Sequence, residues 1–171
     1  MSWRTMNKLL KSFRYAAAGI IACLRCEQNF RIHLTAVCCV LWMSRFYSFT
    51  RGEKALLAAV CGMVLAGELF NTAVERTVDM AAHGRHPLAK AAKDAAAGGV
   101  LAAAICAVIV GVFLFGQREP LAECLHFFLS RPSRVFLLAA AAAGAVLFVF
   151  TDWDRLLKSR KEHPPSRSQP F

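Results

Sequence analysis

Glu68 and Glu75 stand seven residues apart in ALLAAVCGMVLAGELFNTAVERTVDM, a segment otherwise dominated by apolar side chains. At 100° per residue they share one side of a helix, and Asn71 and Asp79, three and eleven residues beyond Glu68, fall in the same narrow stripe. An ionisable group in a transmembrane helix costs about 2.5–3.5 kcal/mol on insertion scales, so an acidic stripe needs a partner, a metal ion or water. Carboxylates beside lysines at a membrane surface suit divalent cations and phosphates. Mg²⁺ takes carboxylate oxygens together with substrate phosphates, which makes Glu75 and Glu27 candidates to hold a Mg-nucleotide while Lys93 neutralises phosphate charge. A carboxylate deeper in the bilayer is desolvated and suited to take a proton from an alcohol, and Glu68 has that position. The competing structural role is an interhelical polar contact that fixes packing, worth roughly 0.6–2 kcal/mol. Lys90 has a bland alternative too, pairing with Asp94 at i,i+4 or with lipid headgroups.

Several other chemistries find no support. The chain has no GxxxxGK[ST], GxGxxG, GxSxG or HExxH segment. His83 and His86, in a Gly/Pro turn, make only a weak metal pair. Cys23 and Cys26 form a CxxC inside a helical pattern without a second ligand pair, so the seven cysteines read as small hydrophobes, Cys38, Cys39, Cys61 and Cys106 among them inside apolar runs.

The elements that must position the stripe are helical and membrane-bound. With 57% hydrophobic residues in 171, the chain carries more apolar surface than one soluble core of this size needs. Apolar runs cover 32–43, 55–67, 95–116 and 135–150; only the third reaches the usual spanning length unaided, and the others must recruit flanking residues, tilt or thin the bilayer. Lys and Arg number fifteen in 1–31, 75–94 and 151–171 together, against six in 44–54 and 117–134. The positive-inside rule then puts both termini and the loop after the acidic helix in the cytoplasm, where nucleotides are. The formal charge of +10 fits anionic inner-leaflet lipid and this topology, and no nucleic-acid partner is expected.

Residues 3–27 alternate Leu9, Phe13, Ile20 and Leu24 with Lys8, Lys11, Arg14 and Arg25, the pattern of a helix lying on the cytoplasmic face. No cleavable leader is expected there, because the segment is charged throughout. Trp42, Phe46, Tyr47 and Phe49 fit an interfacial aromatic belt. HGRHP at 83–87 breaks the acidic helix. Ala and Gly from 95 to 104 favour close helix contact. An interfacial helix is expected around Leu121–Leu129, and HPPSRSQPF reads as a disordered tail.

Two blocks resemble one family. GELFNTAVERTVDM is similar to the signature of the bacterial membrane diacylglycerol kinases and their undecaprenol kinase relatives, and HPLAKAAKDAAAGG looks like the second block of the undecaprenol kinase branch. The resemblance covers residues 4–116. It implies an all-α membrane protein with an N-terminal amphipathic surface helix (3–27) and a three-helix transmembrane bundle (about 30–49, 53–80 and 90–116), forming a lipid kinase domain over 1–116. It further implies a homotrimer with sites shared between protomers, direct transfer of the ATP γ-phosphate to a lipid hydroxyl, Mg²⁺, and residence in the bacterial cytoplasmic (inner) membrane. By position, Glu68 resembles the catalytic base and Asn71 the neighbour that orients it. Glu27 and Glu75 resemble the Mg²⁺ ligands, Lys93 and Asp94 nucleotide contacts, and Tyr15 an adenine-side contact. Lys8 falls where the family has a basic residue near nucleotide and lipid, Gly84, Arg85 and His86 fall on its nucleotide-side loop, and Asp79 and Lys90 support the site.

Two features depart from that pattern. EQNFRIH puts His33 where the diacylglycerol kinases have an acid, as expected of the undecaprenol branch, and a packed or interfacial histidine is the simpler reading. Residues 117–171 form an extension, with an additional fourth transmembrane helix at about 134–152. The leading expectation is a lipid kinase with undecaprenol favoured over diacylglycerol as acceptor. Against it stand a non-catalytic membrane scaffold or small ion-conducting oligomer with an acidic cavity, and a lipid phosphatase, which lacks an Arg/Ser/His constellation.

Overall fold

The computed structural model describes residues 3–82, 84, 86–116 and 118–153. The polar tail from 154 onward, His83 and Arg85 therefore lie outside the described residues. Six α-helices account for nearly everything else: α1 (Trp3–Cys26), α2 (Gln28–Met43), α3 (Arg51–Ala81), α4 (Pro87–Phe115), α5 (Arg118–Leu129) and α6 (Pro132–Phe150), with a 3-10 turn at Ser44–Phe46.

The helix starts follow local chemistry. Thr50 caps α3 in a reciprocal box: Glu53 N–H donates to Thr50 Oγ1 at 3.3 Å, and Thr50 N–H donates to Glu53 Oε2 at 2.7 Å. At α4, Pro87 occupies the first turn and His86 Nδ1 accepts from Leu88 N–H at 3.2 Å; α6 likewise opens on a proline, Pro132. Between α3 and α4, Gly84 has φ +95°, a region open to glycine at little cost, and this lets the chain reverse into the α3–α4 hairpin, the most extensive helix pairing in the molecule.

The hairpins create two chemically distinct ends. One gathers the start of α2, the close of α1, α3 and α6, and the start of α4; Arg31 Nε on α2, for instance, donates to Val149 O on α6 at 3.1 Å. The other end is aromatic. Tyr47 lies 4.9 Å from Phe115 and 5.3 Å from Phe49 between ring centroids, and Trp42 reaches Phe46 and Phe128 at 5.2 Å each. Tyr47 and Phe49 were expected to anchor at an interface, but with Leu57 and Leu114 they form a buried cluster, and Tyr47 is only 6% exposed. Ring–ring packing and the bond from Tyr47 Oη to Phe115 O, 3.2 Å, hold them there.

Among the described residues three helices, α3, α4 and α6, are long and apolar enough to cross a membrane. α2 has 16 residues, about 24 Å at 1.5 Å per residue, short of a hydrocarbon core of about 30 Å. The first run was expected to stay helical to about 49; it stops at Met43, because Tyr47 and Phe49 turn inward and Thr50 must start α3. A helix does occupy 118–129, close to the expected Leu121–Leu129 piece. Large apolar side chains remain uncovered on α4 and α6, Phe113, Val112 and Phe136 among them, as faces meant for lipid or another helix would be. Cys38 and Cys39 on α2 and Cys106 on α4, which the sequence suggests pack as small hydrophobes, are exposed instead, while Cys23 and Cys124 are buried.

Candidate functional site

The acidic stripe of α3 is split by depth. Glu68 is 4% exposed, beside buried Val64 and Thr72 on the same helix, whereas Glu75 is half-buried and Asp79 exposed. At 1.5 Å per residue, Glu75 lies about 10 Å and Asp79 about 16 Å along the axis from Glu68.

Each member has a different partner. His33 on α2 sets Nε2 3.2 Å from Glu68 Oε1. The simpler reading of His33, a packed or interfacial histidine, is thereby replaced: a buried carboxylate must be bonded, and His33 is the group that reaches it. Glu27 and Glu75 also lie near enough to act electrostatically on Glu68. Asn71 Nδ2 donates to Glu75 Oε1 at 3.0 Å, leaving Asn71 Oδ1 buried with no hydrogen-bond partner among the described residues. Glu27, the one residue between α1 and α2, has an extended backbone (φ −103°, ψ 112°), and its Oε1 lies 3.5 Å from Arg76 Nη2.

The remaining candidates divide into two groups. Lys93 Nζ meets Asp79 Oδ1 at 2.5 Å across the α3–α4 turn, and Lys90 Nζ meets Asp94 Oδ2 at 2.5 Å one turn along α4. Asp79, Gly84, His86, Lys90, Lys93 and Asp94 line an open pocket of about 640 Å³. Lys8 and Tyr15, by contrast, project from the exposed part of α1, and among the described residues no hydrogen bond or ion pair ties them to the stripe. Arg85 lies outside the described residues.

Sequence reasoning missed His33, Arg76 and Arg31 as partners in this region. All three act across helices, so no spacing within one segment announces them. The available signal was general: a carboxylate at depth requires a bonded neighbour, and α2 brings His33 to the site as its first imidazole.

The donor set bears on whether Mg²⁺ can be held here. Among the described residues no three His, Cys, Asp or Glu side chains converge. Mg²⁺ does not require that, because it binds through one or two carboxylates with the rest of its shell from phosphate and water. Glu75 and Glu27 supply hard oxygens, and the orphaned Asn71 Oδ1 is a further acceptor beside Glu75. The residues fit such an ion in the company of a phosphate ligand.

A membrane helix bundle with a buried, imidazole-bonded carboxylate and a lysine-lined pocket at the same end defines a class, and comparison with known proteins gives it its family. Residues 14–115 match the prokaryotic diacylglycerol kinases, and the chain belongs to that family of membrane lipid kinases. It is 41% identical over 110 residues to an undecaprenol kinase of Bacillus subtilis, an alignment covering 64% of this chain and 89% of the relative. It is 43% identical over 111 residues to a diacylglycerol kinase of Synechocystis, covering 64% of this chain and 63% of that relative. A diacylglycerol kinase of Pseudomonas aeruginosa shares 38% over 89 residues, 52% of this chain and 72% of its own length. No solved structure matches the chain. The chain is thus a multi-pass bacterial membrane enzyme, and α5 and α6 lie beyond the matched region.

Proposed function

We propose that this protein transfers the γ-phosphate of Mg-ATP to the hydroxyl of a membrane lipid alcohol, with undecaprenol favoured over diacylglycerol. The observation that carries the reading is the gradient along one face of α3: a buried carboxylate held by His33, then Glu75 with Asn71, then the lysine pocket. Phosphoryl transfer asks little covalent work of a protein; it needs an oriented acceptor, neutralised phosphates and a base.

Glu68 takes the proton of the lipid hydroxyl. The lipid oxygen bonds to the γ-phosphorus as the bond to the β–γ bridging oxygen breaks, and ADP leaves with that oxygen. His33 steadies Glu68 Oε1, so the free carboxylate oxygen faces the acceptor. Lys93 and Lys90 hold the polyphosphate from the pocket, exchanging Asp79 and Asp94 for phosphate oxygens. Glu27 and Glu75 would hold Mg²⁺, which would supply charge neutralisation of the phosphates. Burial of Glu68 keeps water from competing with the lipid alcohol.

The acidic end faces the cytoplasm in this proposal, supported by the distribution of Lys and Arg, and α2 is a fourth, thinner crossing that joins the same two ends as α3. α1 lies on the cytoplasmic membrane surface, and uncovered apolar faces support a homotrimer. The acceptor preference is supported by the 89% coverage of the undecaprenol kinase of Bacillus subtilis and by His33. The scaffold and channel readings yield to the match with a kinase family.

The test uses purified full-length protein with γ-labelled ATP, Mg²⁺ and each lipid in parallel. Label in the polyprenol phosphate ahead of phosphatidic acid is expected. Label in neither, with Glu68 intact, overturns the proposal.

A further inference from the structure

Arg31 is 5% exposed and lies in the first turn of α2, where a buried guanidinium demands compensation. It has an unusual set of partners. Nη1 donates to Leu24 O and to Arg25 O, each at 3.1 Å, and Nε donates to Val149 O at 3.1 Å. All three acceptors are carbonyls in the last turns of helices, α1 for the first two and α6 for the third. Such carbonyls have no partner within their own helix, and each helix C-terminus carries roughly −0.5 of an elementary charge. Two C-termini together therefore offset one guanidinium, which explains how Arg31 is buried while the nearby carboxylate of Glu27 is engaged by Arg76 instead.

The end of α6 is finished around this contact. Leu147 O accepts from Thr151 N–H at 2.9 Å, Phe148 O accepts from Trp153 Nε1–H at 3.2 Å, and Val149 O takes Arg31. Val149 is buried on a helix that otherwise shows most of its surface. The end of α1 is finished in the same way, with Cys23 O accepting from Glu27 N–H at 2.8 Å and the next two carbonyls taken by Arg31. Glu27 sits between these bonds, its own carbonyl accepting from Arg31 N–H at 3.4 Å.

We infer that Arg31 is a positioning residue: its guanidinium clasps the end of α6, which lies beyond the family-matched region, onto the α1–α2 bend that presents Glu27. The extension is thereby part of the scaffold of the site. A lysine cannot replace this function fully, because one ammonium does not span two helix ends as a planar fork does. The catalytic half of the inference rests on the kinase reading above, whereas the clasp itself does not.

The experiment compares unmodified protein with Arg31→Met and Arg31→Lys, full length in lipid nanodiscs, by amide hydrogen exchange and by phosphotransfer against Mg²⁺ concentration. Arg31→Met is expected to speed exchange in both 24–31 and 147–153 while 100–114 is unchanged. The Mg²⁺ needed for half-maximal rate should rise about tenfold, the scale of one charge-assisted hydrogen bond lost. Arg31→Lys keeps the buried charge and the fold, and is expected to loosen one of the two ends with an intermediate Mg²⁺ requirement. Exchange at 147–153 that stays unchanged in both variants overturns the clasp, as does Arg31→Lys matching unmodified protein throughout. Loosened ends with an unchanged Mg²⁺ requirement overturn the positioning of Glu27. If unmodified protein transfers no phosphate, the kinase reading fails and the Glu27 role with it, while the exchange data still decide the clasp.

Discussion

His33 Nε2 stands 3.2 Å from Glu68 Oε1 across the α2–α3 interface, and it is the contact that makes a carboxylate at this depth tenable. The pair separates two roles within one carboxyl group. One oxygen is engaged by the imidazole, and in the proposed mechanism the other meets the acceptor hydroxyl.

Glu68→Gln keeps the shape and a hydrogen-bonding oxygen for His33 but removes the proposed base. Phosphotransfer is expected to fall about 10²–10⁴-fold with unfolding behaviour close to the unmodified protein. His33→Ala should lower the rate less, by roughly tenfold, through loss of one hydrogen bond to a charged group. Turnover with both variants, alongside thermal unfolding in the same detergent, checks this; equal losses in the two variants would place the proton on His33 instead.

At Glu75 the neighbour is an amide. Asn71 Nδ2 holds Oε1, and among the described residues Asn71 Oδ1 has nothing to accept from. Glu75→Gln should abolish most phosphotransfer and shift the Mg²⁺ dependence with the fold intact. Asn71→Leu removes the buried orphan oxygen and is expected to leave stability unchanged or improved while lowering the rate, since a buried polar atom without a partner costs about 1–3 kcal/mol. An unaltered Mg²⁺ titration in Glu75→Gln counts against the metal role.

Much of this architecture was legible because it is periodic or local. The stripe of α3 follows from a 3.6-residue repeat, and HGRHP marks the break between α3 and α4. What escaped was made between helices. Nothing in the α2 segment says that His33 faces Glu68, that Arg76 faces Glu27, or that Arg31 will find carbonyls on two other helices. Tyr47 and Phe49 escaped for the same reason: an aromatic cluster near a membrane end has the composition of a lipid-facing belt, and only Phe115 decides that it is a core.

The lysine pocket predicts a division between binding and chemistry. Lys93 is held by Asp79 and Lys90 by Asp94, with all four side chains at least partly exposed, so solvent screening leaves neither pair much weight in stability. Lys93→Met is expected to raise the KM for ATP at least tenfold with little change in thermal unfolding. Asp79→Asn frees Lys93 without removing it and should have a smaller effect on KM. The order of the two KM values is the check; a larger defect in Asp79→Asn would make the aspartate itself a ligand.

The aromatic end offers a pH-dependent prediction away from the site. Burial, and secondarily the thiol of Cys124, push the Tyr47 hydroxyl above the ordinary tyrosine range, and its neutral form donates to Phe115 O at 3.2 Å. A group whose folded-state pKa is raised binds its proton more tightly in the folded than in the unfolded chain. Its contribution is therefore complete below the unfolded value of about 10 and is lost as pH rises from there through the folded value. Tyr47→Phe removes that dependence together with the hydrogen bond, which contributes about 1 kcal/mol at neutral pH. Unfolding midpoints followed from pH 8 to 11 should converge between the two proteins as alkali is added. A gap that stays constant across the range would mean that Tyr47 ionises as freely in the folded bundle as in the unfolded chain.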